Sequence, residues 1–248
     1  MRRVDRNLCP RPRNWDDRVQ RALRDFAEFR ERAIAFEDLP LNSARRREGF
    51  AAFLGRPGSA CFPAVWGRHK ETIATMSAHK CVYCEGPINS LRASHVEHFK
   101  PKSIFPLLAY QWTNYFLGCP GCNGAKGDKW PKRGGYLRPD RGDPRGHFVF
   151  EMDGMARAAK ARSAADLMLT DFELNRRWLV DRRRFNIEAM TRLLDSLIRL
   201  HRDGAGIAAK RLAKTILQNV TAPAAAYSAA LEQCFWRAWK SSLPKSKL

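Results

Sequence analysis

The sequence predicts an α+β fold, in which a small centre of strands, a loop and a helix lies between two helical regions. Apolar residues recur at helical spacing near both ends of the chain. The stretch between them is rich in Gly, Pro, Cys and aromatic residues and lacks this spacing. We expect an N-terminal helical region at 1–79, a core at 80–135, a connection at 136–162 and a C-terminal helical region at 163–248.

The N-terminal region contains three segments that are expected to be helical. Apolar residues recur at helical steps throughout 15–37. Ser43 is placed to begin a second helix that runs through Phe53, since a serine side chain can accept a hydrogen bond from an amide of the first helical turn. A further helix is expected within 62–79.

The core and the connection contain the predicted strands. Residues 94–99 alternate as a strand does, and a short helix is expected over 123–129. Strand, loop and helix around one metal would form a ββα-metal arrangement. Another short strand is predicted at 147–150, followed by a turn at Asp153 and Gly154.

The C-terminal region is predicted to be helical from Ser163, a residue type that favours helix starts. Apolar residues form one face of a helix over 185–200, and Gly204 is expected to end it. Two further helices are predicted at 207–220 and 224–239.

The chain is strongly basic. It has 248 residues with 45 Lys and Arg against 25 Asp and Glu, a net charge of +20. An excess spread over a folded body favours a polyanionic partner such as nucleic acid, although an arginine-rich organism would also produce a basic protein. No apolar run is long enough to span a membrane, and no apolar stretch follows the first basic residues as in a signal peptide. We therefore expect a cytoplasmic protein without a membrane partner.

Two Cys-x-x-Cys pairs, Cys81 with Cys84 and Cys119 with Cys122, bracket most of the core. Four thiolates at this spacing suit one tetrahedral Zn²⁺ in a closed, structural site. Such a zinc clamp would supply folding energy to a segment with little apolar core of its own. The alternative is four free thiols.

Polar residues inside the clamp suit the hydrolysis of a phosphodiester. Glu97 and Asn123 offer oxygen ligands, which Mg²⁺ and Mn²⁺ prefer. His98 can take a proton from water near neutral pH, and Asn114 can bind the backbone near His98 and fix its loop. His95 is either an additional metal ligand, a residue that supports such a ligand, or a packed or surface histidine. Each of these residues, taken alone, also has an ordinary structural explanation.

The pattern resembles the signature of HNH (His-Me finger) endonucleases. It comprises Cys-x-x-Cys, Val-Glu-His with a proline three residues on, a later Asn, and Cys-x-x-Cys-Asn-x-x-Lys. The resemblance implies that Glu97 and Asn123 bind the catalytic cation, that His98 is the general base and that Asn114 orients its loop. The family often has Asp in place of Glu97 and His in place of Asn123, and both changes keep an oxygen or nitrogen donor.

Longer stretches within roughly residues 80–185 resemble the HNH component of Septu-type anti-phage systems (PtuB-like proteins), which also occurs beside some retrons. These stretches are His95–Lys102, Trp112–Cys119, Lys126–Asp128, Leu174–Arg176 and the pair Arg182 and Arg183. The resemblance implies cleavage of DNA or RNA, DNA being favoured, during phage defence. It also implies an ATPase of the ABC/SMC type as partner. The chain has no Walker motif, so ATP hydrolysis would belong to another chain.

Six basic residues are candidates for contact with nucleic acid. Four lysines flank the predicted centre and two arginines belong to a dense basic stretch: Lys100, Lys102, Lys126, Lys129, Arg182 and Arg183. Each can equally be a solvated surface residue, and the arginine stretch can also dock an acidic partner.

Three hypotheses follow from the sequence. The leading one is an HNH endonuclease with a structural Zn²⁺ and a catalytic Mg²⁺ or Mn²⁺. The second is a non-catalytic zinc module that binds nucleic acid or scaffolds a complex, which the charge and the cysteines fit equally well. The third is an enzyme that acts only inside an assembly, suggested by helical flanks that are large relative to the core.

Overall fold

The computed structural model describes residues 1–23, 25–132 and 134–242. It confirms the α+β class, with helices and two small antiparallel sheets. The elements are α1 (Trp15–Ala22), α2 (Phe26–Glu37), α3 (Ala44–Glu48), α4 (Phe50–Leu54), α5 (Gly58–Cys61), α6 (Lys70–Thr75), β1 (His95–His98), β2 (Tyr115–Gly118), α7 (Pro120–Lys126), β3 (Phe148–Phe150), β4 (Ala156–Ala158), α8 (Ala164–Asp171), α9 (Arg177–Arg202), α10 (Gly206–Thr221) and α11 (Ser228–Ser242). Within the described residues, no helix is both long and apolar enough to cross a membrane.

The chain folds into two compact units. Unit 1 comprises Met1–Val4, Lys80–Pro87 and the chain from Leu137 onward, and unit 2 comprises Asp5–His79 and Ile88–Tyr136. Each unit combines stretches that are far apart in the sequence. The division into four consecutive segments stays a prediction, and residues 243–248 of its last segment lie outside the described residues.

The first helical segment of unit 2 is broken where the sequence predicted a continuous helix over 15–37. The helix α1 ends at Ala22, and α2 begins after Asp25, whose carboxylate accepts a hydrogen bond of 2.8 Å from the amide of Glu28. An aspartate in this position starts a new helix because it binds an otherwise unpaired amide. Apolar spacing alone did not reveal this break, and residue 24 lies outside the described part of the chain.

The later N-terminal helices are also shorter than predicted. Ser43 caps α3 as expected, accepting from the amide of Arg46 at 3.2 Å. Gly49, with φ of +90°, then separates α3 from α4, a conformation that favours glycine. The helix expected within 62–79 is a 3₁₀ segment at Val65–His69 followed by α6.

An aromatic cluster forms much of the core of unit 2. Trp15 of α1 is 1% exposed and meets the rings of Trp112 and Tyr115 edge-on, with centroids 5.1 and 5.7 Å away. Its indole Nε1 donates to the carbonyl of Tyr110 at 2.8 Å. These contacts fix the segment that leads into β2, and β2 carries one side of the candidate site.

The strands β1 and β2 pair in antiparallel register and α7 follows directly. The strand predicted at 94–99 is present as β1. The helix predicted over 123–129 begins three residues earlier, with Cys119 as its cap and Pro120 in its first turn. A proline is well suited to that position because its missing amide has no helical partner there.

Unit 1 contains the hairpin of β3 and β4 and the four helices from α8 to α11. The predicted strand at 147–150 is present, and Ser163 caps α8 as expected, accepting from the amide of Asp166. The helix α9 is longer than predicted and buries Ile187, Leu194 and other residues of the expected apolar face. The last helix begins at Ser228 and not at 224.

Candidate functional site

The candidate site of unit 2 is formed by β1, β2 and α7. In the strand register, His95 pairs with Gly118, Glu97 with Phe116 and His98 with Tyr115. Because α7 starts two residues after β2 ends, Asn123 in the first turns of the helix returns to the strand pair. The three elements therefore bring His95, Glu97 and Asn123 together, and His98 follows Glu97 at the end of β1. We call Glu97, His98 and Asn123 the candidate centre.

Gly118 leaves space between two members of the candidate centre. A Cβ atom placed on Gly118 would lie 3.4 Å from the Cβ of Glu97 and 3.6 Å from the Cβ of Asn123. The side chains of Glu97 and Asn123 thus both start beside a residue that has none. A carboxylate and a carboxamide that start close together offer the oxygen donors that a hard divalent cation prefers.

Asn123 is oriented by the neighbouring histidine. Its Nδ2 lies 2.8 Å from Nδ1 of the exposed His95. The amide nitrogen can only donate, so the ring nitrogen accepts. The carbonyl oxygen of Asn123 is consequently the atom of this side chain that can ligate a cation. His95 lies beside the candidate centre, and its own role as a ligand stays a prediction.

Lys126 makes a buried contact with Glu97 that the sequence does not predict. Its Nζ lies 2.5 Å from Oε1 of Glu97 and donates to the carbonyl of His98 at 3.0 Å. Both charged side chains are buried, with exposures of 1% for Lys126 and 4% for Glu97. The expected nucleic-acid contact of Lys126 is therefore wrong, because its ammonium is held inside the protein by Glu97. Asn123 and Lys126 lie three residues apart in α7, a spacing that places them on one helix face and was the only available signal.

His98 has a buried aromatic environment. Its ring lies edge-on to Trp66 and Tyr115, with centroids 4.6 and 5.0 Å away. Nε2 lies 3.0 Å from the carbonyl of Ala109, which can only accept, so Nε2 carries the proton. Nδ1 is then the ring atom with a lone pair for a proton from water. Ala109 also accepts from the hydroxyl of Tyr115 at 2.6 Å, which helps to fix this carbonyl.

Burial changes the acidity of His98. Desolvation, followed by the positive charge of Lys102, lowers the pKa of His98 to about 3. The sequence predicted a pKa near neutrality for His98, and this prediction is wrong because the ring is buried. At neutral pH the imidazole is uncharged, which is the state in which a base can accept a proton.

Asn114 fastens the loop that follows β1. Its Oδ1 accepts from the amide of Lys100 at 2.9 Å. Its Nδ2 donates to the carbonyls of Lys100 and Leu108 at 3.0 and 3.1 Å. The side chain is buried and joins the residue two positions after His98 to the segment that precedes β2. The geometry matches the contact that a positioning role requires, and the role itself stays a prediction.

Two other lysines lie on aromatic rings near the candidate centre. The Nζ of Lys102 is 4.7 Å from the ring centroid of Trp66, the same ring that meets His98. The Nζ of Lys100 is 5.0 Å from the ring centroid of Phe105. Both side chains are half-buried, and Lys129 is exposed. Their phosphate contacts stay predictions.

The two arginines of unit 1 differ from each other. Arg182 is exposed, and its contact with nucleic acid stays a prediction. Arg183 is buried, where its guanidinium donates to the carbonyl of Leu174 and lies 5.7 Å from the ring centroid of Phe150. The expected nucleic-acid contact of Arg183 is therefore wrong, because this side chain fastens the start of α9 to its surroundings within unit 1.

The four predicted zinc ligands converge. The sulfur atoms of Cys81, Cys84, Cys119 and Cys122 all lie within 4.8 Å of one another. Tetrahedral Zn–S bonds of about 2.3 Å place sulfurs about 3.8 Å apart, so only small movements separate this arrangement from a metal site. Two of the sulfurs accept hydrogen bonds from backbone amides at 3.4 Å. The amide of Gly86 donates to Cys84, and the amide of Cys122 donates to Cys119. The cluster can hold a metal ion such as zinc.

The chain is similar to known proteins over less than half of its length. No protein-family model matches the chain. It is similar to the Septu protein PtuB of Bacillus thuringiensis, with 32% identity over 109 residues, a match that covers 42% of each chain. It is also similar to the Septu protein PtuB of Bacillus mycoides strain KBAB4, with 24% identity over 144 residues, covering 46% of this chain and 49% of that protein. The match thus spans about half the length of these curated relatives or less.

Proposed function

We propose that this chain is a metal-dependent HNH endonuclease that hydrolyses phosphodiester bonds of nucleic acid as part of an anti-phage defence system. The observation that carries the proposal is the close approach of Glu97 and Asn123 beside Gly118, on a strand–strand–helix unit. The unit follows the order of a ββα-metal core. Glu97 and His98 are consecutive residues at the end of β1, and we propose that both act on one phosphodiester.

Glu97 and Asn123 would hold a Mg²⁺ or Mn²⁺ ion through a carboxylate oxygen and the amide carbonyl oxygen. When bound, such an ion neutralises charge on the phosphate and on the leaving oxygen. His95 supports this assignment because its ring nitrogen accepts a hydrogen bond from Nδ2 of Asn123. The carbonyl oxygen of Asn123 is then left to bind the ion.

His98 would act as the general base. The proton on Nε2 is directed to the carbonyl of Ala109, which leaves Nδ1 to accept a proton from the attacking water. The aromatic rings of Trp66 and Tyr115 prevent the imidazole from turning. Asn114 would position the base indirectly, since it ties the loop that begins at Lys100 to the segment before β2.

The four-cysteine cluster would bind a structural Zn²⁺. Its closed thiolate set has no open position for a substrate, so the ion would stabilise the fold and take no part in the reaction. Zinc chemistry and the candidate centre would therefore be separable in experiments.

The substrate and the partner are proposed from charge and similarity. A net charge of +20 favours nucleic acid, and we propose DNA before RNA. The similarity to proteins named Septu protein PtuB supports a role in phage defence. We propose an ABC/SMC-type ATPase subunit as partner. Lys100, Lys102, Lys129 and Arg182 remain candidates for phosphate contacts.

A second candidate function is favoured by one specific observation. Glu97 already has a buried cationic partner in Lys126, which is an arrangement that a binding module without a catalytic metal can also have. A zinc-containing module would then bind nucleic acid or scaffold a complex without cleaving it.

Cleavage under controlled metal supply separates the two functions. The full chain, alone and with a co-purified ATPase subunit, is incubated with labelled DNA and RNA over a titration of Mg²⁺ and of Mn²⁺. Cleavage that requires one of these ions supports the nuclease. Salt-dependent binding without cleavage in every arm of the experiment supports the binding module.

A further inference from the structure

The ion pair between Lys126 and Glu97 is the most completely buried charged contact of the candidate site. Nζ lies 2.5 Å from the Glu97 carboxylate and 3.0 Å from the carbonyl of His98. One ammonium thus holds the main chain of the proposed base and the side chain of the proposed metal ligand. A phosphate contact from the surface does not explain a side chain that is 1% exposed.

The buried ammonium of Lys126 changes the net charge around the position where a metal ion would bind. A lone buried carboxylate would attract a divalent cation strongly, since charges interact more strongly inside a protein than in water. Lys126 already compensates the charge of Glu97. A divalent cation must therefore bind beside an ammonium, and the repulsion between the two cations weakens its affinity.

The same contact fixes geometry. Lys126 ends α7 and Asn123 lies one turn earlier in the same helix, so the ammonium joins the end of the helix that carries Asn123 to β1. The separation between Glu97 and Asn123 across Gly118 is consequently set in part by this bond.

We propose that Lys126 is a positioning residue that holds Glu97 in its metal-binding orientation and sets the affinity of the candidate centre for divalent cations. This inference rests on the proposed function. Removal of the ammonium would make the cation bind more tightly and the reaction run more slowly, because the charge of the carboxylate is no longer compensated and its orientation is no longer fixed. A residue that only stabilised the fold would not produce opposite changes in these two quantities.

Manganese binding tests the affinity without relying on turnover. Binding of Mn²⁺ is measured by electron paramagnetic resonance in the His98→Ala background, in which Lys126→Met and Lys126→Gln remove the charge and Lys126→Arg retains it. We expect both neutral variants to bind Mn²⁺ about tenfold more tightly, since a unit charge at such short range contributes at least that much, and the arginine variant to stay near the parent. Cleavage by Lys126→Gln with His98 intact is expected to fall by about tenfold or more.

Glu97→Gln separates failure of this inference from failure of the proposed function. If Glu97→Gln leaves Mn²⁺ binding unchanged, the metal site itself is wrong. If Glu97→Gln weakens binding while the neutral Lys126 variants match the parent or bind more weakly, only the role of Lys126 is overturned.

Nuclear magnetic resonance of the lysine Nζ groups gives a test that needs no folded Lys126 variant. Mg²⁺ is titrated into the protein with His98 and Lys126 intact. The resonance of the buried Lys126 ammonium should shift with the same midpoint as Mg²⁺ binding. An ammonium resonance that stays unchanged while the Glu97-dependent site saturates would overturn the inference.

Discussion

The side chain of Asn114 forms hydrogen bonds with both backbone polar groups of Lys100. The Oδ1 of Asn114 accepts from the Lys100 amide at 2.9 Å, and its Nδ2 donates to the Lys100 carbonyl at 3.0 Å. Lys100 lies two residues after His98. The pair therefore fixes where the chain goes immediately after the proposed base.

Asn114→Ala should weaken both the fold and the reaction. Loss of a buried partner leaves backbone groups unsatisfied, which costs about 1–3 kcal/mol for each group. We expect the unfolding midpoint in urea to fall and cleavage to fall about tenfold or more. Asn89→Ala is a matched control, because Asn89 is exposed and surface substitutions usually change stability by about 0.5 kcal/mol or less. Cleavage by Asn114→Ala at the rate of Asn89→Ala would show that the hydrogen bonds of Asn114 have no positioning role.

Gly118→Val should block the candidate centre. A single added Cβ would lie at ordinary contact distances of 3.4 and 3.6 Å from the Cβ atoms of Glu97 and Asn123, so Gly118→Ala is expected to fold. The branched side chain of valine would occupy the space between the two ligands. We expect Gly118→Val to lose Mn²⁺ binding while zinc content stays the same.

Gly124→Ala provides the control for added bulk near this site. Gly124 lies in α7 and has no atom within 4 Å of an added Cβ, so alanine should stabilise the helix by about 1 kcal/mol and leave Mn²⁺ binding intact. If Gly118→Val binds Mn²⁺ as well as Gly124→Ala does, the cation does not lie between Glu97 and Asn123.

Cys119→Ser should release zinc and destabilise the protein. Zinc binding contributes about 10 kcal/mol in small zinc domains, so loss of one ligand affects folding strongly. We expect about one Zn²⁺ per chain in the parent by elemental analysis and a clear decrease in the variant, with a lower melting temperature. Cys61→Ser changes a buried cysteine outside the cluster and should keep its zinc. Equal zinc content in both variants would refute the assignment of the cluster.

Lys102→Gln should weaken nucleic-acid binding without abolishing it. The ammonium lies 4.7 Å from the ring centroid of Trp66, and that ring contacts His98, so a phosphate near the base would be within reach. The slope of the logarithm of affinity against the logarithm of salt concentration should fall by about 1, the value for one phosphate contact. Lys132→Gln, at an exposed position, is the comparison. Identical slopes for Lys102→Gln and the parent would remove Lys102 from the interface.

Local sequence signals predicted the parts of this protein that local chemistry determines. The cysteine pairs, the cap at Ser43 and the strand at His95–His98 are examples, since each depends on residue type and short spacing. The break before α2 was missed because the apolar spacing continues across it, although Asp25 is a residue type that starts helices.

The features of the site that were missed depend on tertiary packing. The pKa of His98 departs from its ordinary value because rings from distant segments bury it, and no local pattern encodes that burial. Most lysines are exposed, whereas α7 carries Lys126 to the buried carboxylate of Glu97. Gly118 lies beside Glu97 and Asn123 only after β2 has paired with β1 and α7 has packed against them.

We propose that His98 is the base of a metal-dependent phosphodiesterase centre. The most direct test of this claim compares plasmid cleavage in Mn²⁺ by the parent, His98→Ala and His147→Ala, each checked for zinc content, fold and DNA binding. His147 is exposed and lies outside unit 2, so its replacement should leave cleavage unchanged. We expect His98→Ala to keep zinc and DNA binding but to lose about 10²–10⁴-fold in cleavage rate. Cleavage by folded, zinc-loaded His98→Ala at the rate of the parent would contradict the claim.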